Sequence, residues 1–151
     1  PELFRAGLSR KADFGFVPIK NSVSGPVREA MQAWKAKQKK LRKEKTYVLK
    51  VCHVFAALPG TRLEDIHTVM SYEVIFGQCE KFLARYLPKV KRKFVRTSSE
   101  ACAKLASSKA SGVAVIASKE AARNYGLKVL QSHMEDSRSN KTTFLLTRGR
   151  E

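Results

Sequence analysis

The sequence predicts an α/β domain, on three observations. Val113–Ala117 is a short apolar, partly β-branched run of the kind that buried strands have. Ser118 can cap a helix over residues 119–125, and Gly126 can end that helix in the left-handed region. Residues 127–130 and 142–147 are further strand candidates, separated by the polar loop 135–141. Strand, capped helix, glycine, strand, loop, strand is the alternation of α/β proteins.

The remaining elements follow in chain order. Residues 3–10 are helix-compatible, with Leu3, Phe4 and Leu8 on one face. Residues 12–19 alternate and run into Pro18 and Ile19, as a strand delivering a loop does. That loop is Lys20 to Gly25, and Pro26 suits the first turn of a helix. Val27, Ala30, Met31 and Trp34 then share a core-facing stripe. The stretch WKAKQKKLRKEKTY has the propensity of a long surface helix. Residues 47–57 read as one strand, 58–61 as a turn, 63–67 as a short helix and 69–70 as a short strand. Val74, Gln78 and Phe82, with Ile75, Cys79 and Leu83, repeat every four residues, which predicts one amphipathic helix ending before Pro88. Residues 89–96 alternate like a strand around Phe94. Thr97 to Glu100 has the hydroxyls and acid of a capping box for a helix over 101–107.

A chain of 151 residues fits one ordinary domain or two small lobes, and 43% hydrophobic residues exclude a disordered chain. Charge is the outlier. Thirty Lys and Arg against thirteen Asp and Glu give a net charge of +17, far beyond what a small anionic substrate requires. Such an excess predicts a polyanionic partner, nucleic acid ahead of an anionic membrane surface. No run approaches the roughly 20 apolar residues of a membrane span, so no membrane partner is expected. The three cysteines, Cys52, Cys79 and Cys102, are odd in number and widely spaced, and read as free thiols of a reducing compartment. With His53, His67 and His133 they show no metal-ligand spacing, so neither metal nor cofactor is expected. The chain begins at Pro1 within helix-like sequence and reads as a piece of something longer.

Several short motifs carry a family resemblance. AVIASKEAARNYGLKVL, then ED, then NKTTF resembles the C-terminal part of the prephenate dehydratase catalytic domain. That family has an Ala-Ala-Ile-Ala-Ser strand, an Ala-Ala-x-x-Tyr-Gly-Leu helix end and an Asn-x-Thr-Arg-Phe motif. ADFGFVPIKNSVSGPV is similar to the family segment that ends in Pro-Ile-Glu-Asn-Ser with a following Gly. Ser71, Gln78, Cys79, Leu87 and Pro88 match its Ser-His-Pro-Gln, Gln-Cys and Leu-Pro motifs. Thr97-Ser98 stand where the family has Ser-Thr. The resemblance covers about residues 3–146. The family's Gly-rich first strand and helix are absent from this sequence, as is the regulatory domain that often follows.

The resemblance implies a two-lobed, periplasmic-binding-protein-like α/β fold around a cleft, one domain over 1–151 with a second lobe at roughly 71–125. It implies that Thr142 is the catalytic hydroxyl. It places Asn21, Ser22, Gly25, Ser71, Thr97, Ser98 and Phe144 at the substrate cleft, where a helix N-terminus would suit a carboxylate.

Three polar positions depart from the family pattern. Lys20 stands for Glu, Tyr72, Glu73 and Val74 stand for His-Pro-Gln, and Thr143 stands for Arg. A Thr hydroxyl does not reproduce the fork of a guanidinium. Together with the charge, these departures predict a vestigial site and a non-catalytic domain recruited into a ribonucleoprotein, a mitochondrial ribosome ahead of a plastid or cytoplasmic one. Its partners would be rRNA and neighbouring ribosomal proteins. Backbone contacts would come from Lys35, Lys37, Lys39, Lys40, Arg42, Lys43 and Lys45, and from a second run of Lys89, Lys91, Arg92, Lys93 and Arg96. The alternative is an active prephenate dehydratase of phenylalanine biosynthesis that forms phenylpyruvate, with Asn21 and Ser22 near the substrate carboxylates. A third reading is a small-anion-binding protein without turnover.

Overall fold

The computed structural model describes residues 12–149; the helix expected over 3–10 lies outside them. The described residues divide into two compact units, one of residues 12–51 and 139–149, the other of residues 52–138. The C-terminal strand belongs to the same unit as the N-terminal strands. The second unit extends beyond the 71–125 read from the sequence, because the strands on both flanks of that range join its sheet.

In the first unit, β1 (Phe14–Asn21) turns through a short loop into β2 (Gly25–Pro26), and helix α1 (Arg28–Lys37) follows. Pro26 thus pairs with Lys20 in the sheet, and the helix starts two residues later than Pro26 suggested. Gly25 adopts φ +81, a left-handed conformation that costs glycine nothing and lets the loop close. Strand β3 (Leu41–Lys50) comes next, and a later strand over Lys141–Gly149, the ninth in the chain, pairs antiparallel with both β1 and β3. The stripe on α1 buries Ala30 against Val17 and Leu41, with Val27, Ala33 and Trp34 packed around them.

Two expectations fail in this unit. The lysine-rich stretch does not continue the helix: α1 stops at Lys37 and the cations fall in a turn and in β3. Helix propensity loses here to a full ladder of cross-strand bonds with the last strand, and like charges no longer stack at helical spacing. The apolar run 47–57 is not one strand. β3 ends at Lys50, and β4 (Val54–Ala57) belongs to the other unit. Continuous β-forming sequence hides the point where the chain leaves one sheet for another.

The second unit is a five-stranded sheet. Its strands are β4, β5 (Thr68–Tyr72), β6 (Lys91–Val95), β7 (Val113–Ala117) and β8 (Lys128–Ser132), in the spatial order β6-β5-β7-β4-β8. β5 is parallel to β6 and β7, while β4 is antiparallel to β7 and β8. Both faces are covered, which explains why β7 and β4 are apolar throughout rather than alternating. Helices α4 (Ser98–Ser108) and α5 (Lys119–Asn124) pack their Leu105 and Ala122 into one core with Val115. Helices α2 (Glu73–Gln78) and α3 (Glu80–Tyr86) bury Phe76 and Leu83 in the other, with Phe55.

The single helix expected over this last stretch is two. The break lies at Cys79, whose φ of −125 leaves the helical region. Asp136 intervenes there: its N–H donates to Gln78 O at 2.7 Å, and its carboxylate accepts from Lys81 N at 3.1 Å. These bonds substitute for the helical ones that the kink loses. The caps are as expected. Thr97 Oγ1 accepts from Glu100 N, Ser118 Oγ accepts from Ala121 N, and Gly126 takes φ +68.

Candidate functional site

Asn21 ends β1 directly opposite Thr142 of the last strand, β9 (Lys141–Gly149). Its side chain is nearly enclosed and fully used. Oδ1 accepts from Val23 N at 2.9 Å and from Ser24 N at 2.8 Å, which folds the loop as an Asx turn. Nδ2 donates to Asn140 Oδ1 at 2.7 Å, to Thr142 Oγ1 at 3.0 Å and to Lys141 O at 3.2 Å. The two backbone donors fix which end of the Asn21 amide is oxygen, and that in turn fixes Asn140.

Two chemical consequences follow. Thr142 Oγ1 is an acceptor toward Asn21, so its own O–H proton is available to a second acceptor. An oxygen that receives an amide N–H also bears developing negative charge more easily, which makes the hydroxyl a better proton donor. Asn140 is 1% exposed, and its Nδ2 has no hydrogen-bond partner among the described residues. A buried donor left unpaired costs about 1–3 kcal/mol. Asn140 is the first residue of NKTTF. It matches the Asn of the family motif but is not among the expected cleft residues, because an Asn just before a strand reads as loop.

Ser22 locks the same corner. Ser22 N donates to Lys141 O at 2.9 Å, and Ser22 Oγ accepts from Lys141 N at 2.9 Å. Gly25 closes the loop. Phe144 stacks on Phe16 with centroids 4.7 Å apart and planes 1° from parallel. Four of the expected cleft residues, Asn21, Ser22, Gly25 and Phe144, and the expected catalytic Thr142 therefore belong to the first unit.

Strand alternation sorts the departures from the family pattern. Neighbouring residues of a strand point to opposite faces, so Thr142 and Thr143 do not share a face. Lys20 pairs with Thr143, and Asn21 with Thr142. Two of the three departures are thus one cross-strand position, on the face away from the Asn21–Thr142 pair.

The other expected cleft residues belong to the second unit. Ser71 is fully buried, and its hydroxyl donates to Ile116 O at 2.7 Å. It offers no surface to a ligand, and its placement corrects the expectation of a cleft group. Thr97 and Ser98 open α4. Thr97 Oγ1 takes the N–H of Glu100 at 3.1 Å and Thr97 O takes that of Ala101. The first-turn N–H groups of Ser98 and Ser99 have no such partner among the described residues, and a helix start of this kind suits an anion. Glu100 closes the cap by accepting from Arg96 N, and its carboxyl is held below the usual range mainly by its hydrogen bond from Lys104.

The basic residues also divide. Lys35 and Lys37 end α1, Lys39 and Lys40 form the turn, and Arg42, Lys43 and Lys45 lie on β3, whose every residue after Leu41 is exposed. Lys89, Lys91, Arg92, Lys93 and Arg96 are exposed residues of the second unit, in and around β6. Three of the twelve face acids: Arg42 meets Glu44, Arg92 meets Glu80 in a two-bond fork, and Arg96 meets Glu100.

The prephenate dehydratase family model matches residues 1–151. The bifunctional chorismate mutase/prephenate dehydratase of Escherichia coli K12 is 32% identical over 145 residues, covering 96% of this chain and 37% of that protein. The chloroplastic arogenate dehydratase/prephenate dehydratase 6 of Arabidopsis thaliana is 32% identical over 140 residues, covering 89% of this chain and 32% of that protein. The chain thus spans only about a third of the length of these relatives. The crystal structure of the Arthrobacter aurescens prephenate dehydratase in complex with L-Phe superposes with a TM-score of 0.87 at 26% identity, over 98% of this chain and 48% of that one. The Staphylococcus aureus prephenate dehydratase superposes with a TM-score of 0.80 at 21% identity, over 99% of this chain and 54% of that one, and shows the same fold.

Proposed function

The chain belongs to the prephenate dehydratase family, and from that premise we propose that it takes part in the decarboxylative dehydration of prephenate, with Thr142 as proton donor. The observation that carries this reading is the Asn21 bond to Thr142 Oγ1, which leaves the Thr142 O–H proton to be given away. In the reaction the ring loses its carboxylate as carbon dioxide. The electron pair of the broken C–C bond enters the ring as the C–O bond to the hydroxyl breaks. Hydroxide is a poor leaving group, and a proton from Thr142 lets it depart as water. Aromatisation of the ring supplies the driving force.

Two of the polar departures fall on the face away from Thr142, so they do not remove this hydroxyl or its amide partner. This supports turnover rather than the vestigial site expected from the sequence. The test is to add prephenate to the purified chain and follow phenylpyruvate, with arogenate as a parallel substrate because plant relatives carry that name. Product from either one supports the reading; no product from both counts against it.

A second reading, contact with RNA in a ribosome, rests on the net charge of +17 and on the exposed Arg42, Lys43, Lys45 and Lys50 of one edge strand. None of the relatives named above is a ribosomal protein. Binding of this kind weakens steeply with salt, and sedimentation of a lysate before and after RNase treatment tests it. For compartment, the chloroplastic relatives favour the plastid option over the mitochondrial one.

A further inference from the structure

Cys52 is distant in sequence from His133 and Glu135 and meets them in the second unit. β4 and β8 pair through Val54 and Ser132, so the residues just beyond the ladder run side by side. Met134 N donates to His53 O at 3.0 Å, and Glu135 Oε2 accepts from His53 N at 2.9 Å, which fixes the extension. The Cys52 sulfur, a His133 ring nitrogen and a Glu135 carboxylate oxygen all lie within 4.8 Å of one another. His133 adopts φ 58, a left-handed conformation uncommon outside glycine, asparagine and aspartate. It brings Nδ1 to 3.4 Å from Glu135 Oε1. That spacing is already close to the roughly 3.3 Å edge of a tetrahedron whose metal–ligand bonds are about 2.0–2.1 Å.

We propose that Cys52, His133 and Glu135 form a binding site for one divalent cation of the zinc class, with solvent in the fourth position. Thiolate, imidazole and carboxylate are a donor set that such a borderline-soft ion accepts. The second Glu135 oxygen stays on His53 N, an outer contact that orients the ligand. Glu135 is 6% exposed, which distinguishes this cluster from the exposed acids common on protein surfaces. The Glu135 carboxyl group lies beside an exposed imidazole and a half-buried thiol. None of these residues takes part in the Thr142 cluster, so the site stands or falls independently of the dehydratase reading.

Cobalt(II) titration of the whole chain, reduced with a non-thiol reductant, tests the proposal. The expected result is a thiolate-to-cobalt charge-transfer band that saturates at one equivalent and is displaced by zinc. Cys52→Ser should abolish the band, and His133→Asn, which tolerates the left-handed backbone, should weaken cobalt binding at least tenfold. Both positions are accessible, so both variants should keep the wild-type circular dichroism; Glu135→Gln, at a buried position, is not the deciding variant. No band in the wild type, or a band that survives in folded Cys52→Ser, overturns the site.

Discussion

Lys20 and Thr143 stand opposite each other across the β1–β9 ladder. The family resemblance puts Glu and Arg at these two positions, an opposite-charge cross-strand pair. Here a cation stands for the acid and a short hydroxyl for the guanidinium, so Thr143 avoids the like-charge clash that Lys20 opposite an Arg would create. Read one at a time along the sequence, the two looked like separate losses from a catalytic site. In the sheet they are one coupled position, and Thr142 points to the other face.

Restoring the pair should show this coupling. Lys20→Glu with Thr143→Arg should be more stable than the sum of the single changes by about 0.2–1 kcal/mol, the range for cross-strand charge pairs. Thr143→Arg alone, facing Lys20, should destabilise. Urea unfolding of the four proteins closes the cycle, and strict additivity would show that the positions do not interact.

Much of the fold was legible because its signals are local. Ser118, Gly126 and Thr97 do what their side chains and backbone freedom dictate, and the helices and strand they bound lie where expected. What was illegible depends on partners distant in sequence. The break at Cys79 is made by Asp136, and the strand at Leu41–Lys50 by β9. The site divides in the same way. Short motifs singled out Asn21 and Thr142, which the sheet places opposite each other, but the burial of Ser71, whose hydroxyl is spent on Ile116, and the meeting of Cys52 with His133 required the sheet.

Asn21→Ala should unfold more easily than the wild type by about 1–3 kcal/mol, since it strands the N–H groups of Val23 and Ser24 and the Asn140 carbonyl. Asn21→Asp keeps the loop acceptors but sets a carboxylate against Asn140 Oδ1 and Lys141 O, and should cost at least as much. Denaturant midpoints at equal slope measure both.

The thiols should react unequally. Burial, reinforced by Asp136 and Glu135, pushes Cys79 up to about 12, and burial pushes Cys102 up to about 11, so neither supplies thiolate near neutral pH. Only the half-buried Cys52 should be alkylated in the native protein. Mass spectrometry of iodoacetamide-treated protein should show one modification before unfolding and three after; native labelling at Cys79 would contradict the packing around it.

Removing the α4 cap with Thr97→Ala should cost about 1 kcal/mol, the usual loss for a Thr N-cap. The neighbouring Glu100 carboxyl is held below its ordinary value, chiefly by Lys104. A depressed carboxyl stabilises at pH above its unfolded value, and that contribution fades as pH falls through the lower folded value. Acid titration of Glu100→Gln alongside the wild type should therefore show stabilities that differ near neutral pH and converge in acid.

The role of the Thr142 hydroxyl is tested most directly by steady-state turnover of prephenate in wild type, Thr142→Ser and Thr142→Ala. The expected result is measurable phenylpyruvate from the wild type, retained product from Thr142→Ser, and a fall of roughly 100- to 10,000-fold in kcat for Thr142→Ala, the range of a single general acid. Turnover by Thr142→Ala equal to that of the wild type, or a folded wild type that forms no phenylpyruvate, would contradict it.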